Sequence, residues 1–182
     1  MKPIFTLLAL AGSLAAADSP ATQDLDVGVY VKKGADWQPL LPEPVTWKTG
    51  GVLKTFATSG IVKADVNGHL QGAHSRTSAP SGSEILIYAP EGVEYTEFQL
   101  IHLHENSDNR EFRTVTGGVF HQSGGANRDT LPFDATPAGK RKWTILLPTK
   151  LKLGEYGILP PGAVGSAGIG SLGKMYTFRL TE

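Results

Sequence analysis

The sequence predicts an all-β protein of short antiparallel strands in packed layers. Three observations lead there. Apolar and polar residues alternate along many short runs, the period of a half-buried strand. The 182 residues include 22 Gly and 12 Pro, a density of turn-formers that suits many short strands. No apolar stripe of helical period survives that punctuation over about ten residues.

The chain opens with a leader. Lys2 supplies a positive start, Ile4 to Leu10 an apolar run, and Ala15-Ala16-Ala17 the small residues of a cleavage site. This pattern predicts a signal peptide over 1–17, cut after Ala17. The run is short of the roughly 20 residues that span a bilayer, and no later segment is long and apolar enough. The mature chain, 18–182, is therefore expected to be exported, periplasmic or extracellular, with no membrane span.

A single domain of this size can bury roughly 70% of its unfolded surface. It has no cysteine, so packing must hold it without disulfides. Thiolate metal sites, cysteine nucleophiles and lipid-modified cysteines are excluded. Removing Lys2 from the 17 basic residues leaves 16 against 17 acidic ones, a net charge of about −1. That balance argues against a nucleic-acid partner, which needs a clustered basic face. Lys140-Arg141-Lys142 is read as a solvated strand edge.

Taken in order, Val27, Val29 and Val31 alternate as a first strand, and Gly34 allows a turn. Asp36 to Leu41 returns, and Pro42 and Pro44 stop it, since proline cannot donate to a ladder. Val45 to Lys48 is a third strand. Val52 to Thr58 fits either a strand or a helical turn. Ile61 to Val66 is a strand, Asn67-Gly68 a tight hairpin turn, and His69 to Ser75 the return. These make an N-terminal layer over 27–74, which either extends the main sheets or forms a separate small layer. Arg76 to Ser83 reads as a loop.

The main unit is expected over 83–182. Glu84 to Ala89 is an apolar strand. Tyr95 to His104 and Arg110 to Thr116 form a central hairpin, and 119–139 is irregular, with a short strand at Thr130 to Phe133. Trp143 to Leu147, the segment ending in Tyr156, and Lys174 to Leu180 are the last strands. Leu153-Gly-Glu-Tyr156 resembles the tyrosine corner of immunoglobulin-like sandwiches, where the tyrosine bonds to backbone a few residues upstream. The expected fold is thus an immunoglobulin-like antiparallel β-sandwich with an extra N-terminal hairpin layer, lacking that family's disulfide.

The hairpin concentrates the reactive groups. His102 and His104 share one strand face, with Glu111 within reach across the turn, and two imidazoles plus a carboxylate suit a divalent metal. The pattern resembles the first cupin motif, with departures. Glu111 follows His104 by more residues than that motif allows, and His121 lacks the frame of the second motif. Glu105 points to the opposite face. Arg110, Glu111 and Arg113 read as cross-strand charges that fix hairpin register. Gly168-Ile-Gly-Ser-Leu-Gly173 matches a dinucleotide fingerprint, but a strand follows it where a helix is required. Asp65-Val-Asn-Gly68 lacks the other ligands of a calcium loop. Trp37, Trp47 and Trp143 are the candidate aromatic platform for a sugar, although Trp143 alternates with core positions.

Gly28-Val-Tyr-Val31, Leu41-Pro-Glu-Pro44, Arg110-Glu-Phe-Arg113, Gly154-Glu-Tyr-Gly157 and Tyr176-Thr-Phe178 together resemble an uncharacterised group of exported bacterial all-β proteins. That resemblance implies export and transfers no activity, cofactor or site residue. The expected function is a non-enzymatic binding or structural module of the cell envelope, with a protein or polysaccharide partner. A carbohydrate-binding module, or a cupin-like metal-dependent enzyme at His102, His104 and Glu111, is the alternative.

Overall fold

Two hydrogen-bonded sheets pack face to face, and one of them closes into a barrel. The structure, a computed structural model, describes residues 24–49, 65–115, 129–163 and 173–182. The expected signal peptide, the segment 52–58, the start of the strand at 61–66, His121 and most of the glycine-rich stretch before Gly173 lie outside the described residues. No helix among the described residues is long and apolar enough to cross a membrane.

The strands are β1 (Gly28–Lys33), β2 (Asp36–Pro39), β3 (Pro42–Thr49), β4 (Asp65–Gln71), β5 (Ser78–Pro80), β6 (Glu84–Tyr88), β7 (Gln99–Glu105), β8 (Asn109–Val115), β9 (Thr130–Leu131), β10 (Thr136–Gly139), β11 (Lys142–Leu146), β12 (Gly154–Leu159) and β13 (Gly173–Thr181). A short 3-10 turn, Tyr95–Glu97, precedes β7. One sheet has the order β10-β11-β6-β1-β2. The other runs β12-β13-β3-β4-β8-β7, and β7 pairs back onto β12 to close a six-stranded antiparallel barrel. The all-β class and the antiparallel pairing are as expected from the sequence. Closure into a barrel was not part of that expectation. The segment 27–74 divides between the layers, β1 and β2 joining the open sheet and β3 and β4 the barrel.

There are accordingly two cores. Val45, Trp47, Leu70, Ile101, Leu103, Phe112, Leu159 and Met175 fill the barrel lumen. Six strands enclose so little space that side chains fill it. The second core lies between the open sheet and the barrel's outer wall. Val29, Val31, Ile85, Ile87, Ile145 and Leu147 face Leu100, Tyr156, Ile158, Phe178 and Leu180 across it. Each such side chain contributes about 1.5–3 kcal/mol when fully buried. β12 and much of β13 are buried on both faces, which is why Gly154 to Leu159 shows no clean alternation.

Several local readings are corrected. Asn67-Gly68 is no hairpin turn but the middle of β4, between β3 and β8. Gly68 is needed there because the Phe112 ring lies over it, and a Cβ would fall 2.3 Å from Phe112 Cζ. The same placement disposes of the faint calcium-loop pattern at Asp65 to Gly68. Pro42 and Pro44 do not end a strand; they begin β3. There β3 pairs with β13 alone, β4 joining only from Val45 onward, so a missing donor is tolerated. The loop at 76–83 contains β5, which pairs in parallel with β13. The tyrosine-corner bond does form, Tyr156 Oη donating to the Lys152 carbonyl at 2.7 Å. Tyr30 makes the same bond to the Asp26 carbonyl at 2.7 Å.

Candidate functional site

Alternation decides which side chains of the barrel face water. On β7, Ile101 and Leu103 enter the lumen, so His102 and His104 point outward. On β8, Arg110 and Phe112 point in, leaving Glu111 and Arg113 outside. On β4, Gly68 and Leu70 point in, leaving Asn67 and His69 outside. The open sheet covers the wall made by β12, β13 and the start of β7. Among the described residues, it leaves the β4–β8–β7 wall uncovered.

Asp129 organises that wall. β7 pairs with β8 only at His104 and Glu105, and with β9 at Leu100 and Ile101. Between those two contacts the strands splay, and backbone donors there need new partners. The Asp129 carbonyl accepts from His102 N at 2.8 Å. Its Oδ2 accepts from Arg113 N at 2.7 Å. Its Oδ1 lies 2.7 Å from His104 Nε2, which donates to it. Asp129 is itself buried. A half-exposed imidazole is thus held by a carboxylate whose other oxygen is tied to the backbone. Beside it opens a cavity of about 250 Å³ lined by Asn67, His104, Glu111, Phe112, Arg113 and Asp129.

His102 sits deeper. Its ring lies 5.0 Å from that of His104, edge-on, and 5.2 Å from that of Tyr156. Burial, then the neighbouring His104 charge, lowers its pKa below the ordinary histidine value.

His102, His104 and Glu111 do share the outer wall, and His104 and Glu111 are direct cross-strand partners. Their polar contacts diverge. His104 takes Asp129, while Glu111 Oε2 lies 3.8 Å from His69 Nδ1. Among the described residues, the one trio of potential ligands whose donor atoms lie mutually close is His74, Glu105 and Glu155. Sequence reading missed Asp129, which sits in an irregular stretch with no period linking it to a hairpin 25 residues away.

Arg110 is a further correction. It is not a surface charge setting register; it is fully buried at one mouth of the barrel. Its Nε donates to the Gly72 carbonyl at 2.9 Å and its Nη1 to Ser75 Oγ at 2.7 Å. Nη2 donates to Glu43 Oε2 at 2.6 Å and to the Gln71 carbonyl at 3.1 Å. Glu43 Oε1 accepts from Thr177 Oγ1 at 2.5 Å. Glu155, fully buried, accepts through Oε2 from Ser75 N at 2.8 Å and from Ser75 Oγ. Charged hydrogen bonds of this kind hold the guanidinium in a rigid fork.

The tryptophans do not form one platform. Trp47 is buried in the lumen, edge-on to Phe112 at 5.5 Å, with Nε1 donating to the Ala163 carbonyl at 3.0 Å. Trp143 packs on Tyr95 at 5.9 Å beside the second core. Trp37 is half-buried on β2, with Lys32 Nζ 5.7 Å from its ring. No family model, curated protein or solved structure matches the chain.

Proposed function

We propose that this chain is an exported, non-enzymatic binding module of the cell envelope, and that its ligand is held in the outer-wall pocket at His104 and Asp129. The observation that carries this reading is the anchoring of His104 by a buried carboxylate beside an open cavity on a wall that the open sheet does not cover. Asn67, His104, Glu111 and Arg113 bring an amide, an imidazole, a carboxylate and a guanidinium to one pocket. Such a mixture suits a hydroxyl-rich ligand, because each hydroxyl both donates and accepts. A polysaccharide segment has that chemistry. Export is supported by the leader pattern from Lys2 to Ala17.

The sheet edges favour the same location. β2 and β10 are short and carry Pro39 and Pro137, which discourages an incoming strand. A sugar platform at Trp47 loses its support through burial of that ring. A cupin-like centre at His102, His104 and Glu111 has no converging donor set behind it.

The test is amide-resolved NMR of the chain titrated with soluble envelope polysaccharides and cell-wall fragments. Shifts should concentrate at Asn67, His104, Glu111 and Arg113, and His104→Ala should weaken the response by about tenfold or more, the loss of roughly 1.4 kcal/mol. A response centred on Trp37, or none across the panel at millimolar ligand, would overturn the assignment.

A further inference from the structure

Among the described residues, the carboxylates paired at the mouth of the barrel outnumber the guanidiniums there. Glu43, Glu105 and Glu155 converge there with Arg110 and Arg179, three carboxylates against two guanidiniums. Arg110 is fully engaged by Glu43, Ser75 and two carbonyls. Glu155 is the residue left incomplete. Both its oxygens are inside the protein, yet only Oε2 is hydrogen-bonded, and buried Oε1 has no hydrogen-bond partner. A buried carboxylate oxygen without a partner is a costly arrangement, and such groups call for an explanation.

Oε1 is aimed at a gap bounded by two further donors. His74 Nδ1 lies 3.5 Å from it, and 3.4 Å from Glu105 Oε2. All three atoms lie within 4.8 Å of one another. Arg179 Nε approaches Oε1 only to 3.8 Å, beyond hydrogen-bond distance. Zinc–nitrogen and zinc–oxygen bonds are about 2.1 Å, which makes the edge of a tetrahedral donor set about 3.4 Å. The two His74 separations match that edge. The set is one imidazole and two carboxylates, with no thiolate, suited to a borderline divalent cation. His74 and Glu105 are partly exposed, so the outer side stays open to water while Glu155 closes the inner side.

We infer that His74, Glu105 and Glu155 form a divalent transition-metal site at the barrel mouth, separate from the outer-wall pocket. Topology explains its position. Glu105 ends β7 and Glu155 is the second residue of the strand paired with it, β12; alternation puts both on the lumen side, Glu105 at the open rim and Glu155 within. His74 is delivered by the segment after β4, whose Ser75 is tied to Glu155 and Arg110. The cation offsets the surplus negative charge and supplies the partner that Oε1 lacks. It also fastens the 72–77 segment over the mouth.

The experiment uses the whole chain, stripped with chelator, and zinc ion alone as the probe. Calorimetry should find one equivalent bound, and zinc should raise the unfolding temperature, as any ligand of the folded state does. His74→Ala lies at the surface and should fold. It should weaken zinc binding by at least about tenfold, the loss that even a supporting residue near a metal produces, and should shrink the thermal shift accordingly. Glu155→Gln is the second variant, with the same expected loss. His102→Ala and His104→Ala, on the outer wall, should bind zinc as the parent does. Absence of stoichiometric binding overturns the site, and so does binding that survives His74→Ala but fails in the His102 or His104 variant. Because the outer-wall pocket is read by polysaccharide titration, failure there leaves the zinc result untouched, and the reverse holds.

Discussion

Two histidines two residues apart on one strand face live in different surroundings. His104 reaches Asp129 and solvent, whereas His102 is wedged between the His104 ring and Tyr156. Burial is the larger cause of the lowered His102 pKa, and His104 adds to it. The sign follows from linkage. The unfolded chain protonates this residue near pH 6.5, and the folded chain resists doing so. Its stabilising contribution is therefore whole above about pH 6.5 and is lost as pH falls through the folded value. An NMR titration of the imidazoles should show His102 titrating below ordinary histidine. His102→Gln should flatten the fall in stability below pH 6.5. A His102 midpoint at or above the ordinary value would contradict the burial argument. That the pair shares a face was legible from alternation alone. That they differ was not, because Asp129 and Tyr156 arrive from elsewhere in the chain.

At the scale of elements, β4 shows how a local signal is overruled. Asn-Gly is a strong hairpin turn signal, since both residues tolerate positive φ. In this barrel the Asn67-Gly68 pair lies flat in a central strand. The glycine's lack of a side chain serves packing, with Phe112 occupying the space a Cβ would take. Gly68→Ala should cost about 1–3 kcal/mol through overpacking, read from urea unfolding midpoints. Combined with Phe112→Leu, which opens that space, it should show a coupling of about 0.5 kcal/mol or more. Strict additivity of the two changes would mean that the ring does not lie over Gly68. The tyrosine corner behaves oppositely. Its hydrogen bond spans four residues, so a short motif contains all it needs. The same bond recurs at Tyr30 without any comparable signal having been read there.

At the scale of the molecule, the two cores are bound together by barrel strands that serve both. β12 and β13 present Gly157 and Met175 to the lumen and Ile158 and Phe178 to the second core. Neither core can dissolve without exposing the other face of the same strands. Trp47 reports on the lumen and Trp143 on the edge of the second core. Variants retaining only one of these tryptophans should therefore show fluorescence unfolding midpoints coincident with each other and with far-ultraviolet dichroism, the mark of one cooperative unit. Separate midpoints would show two independently unfolding layers.

Alternation, turn composition and the tyrosine motif determined the β class, most strand positions and the facing of His102, His104 and Glu105. These are local properties, set by a period of two along an extended backbone. Tertiary structure alone decided the closure of β7 onto β12, the burial of Arg110 and Glu155, and the meeting of His104 with Asp129 and of His74 with Glu105. Each depends on which strand lies beside which, and no residue carries that information in its own neighbourhood. A charged residue at an inward position reads as a surface charge until the opposite wall of the barrel is known.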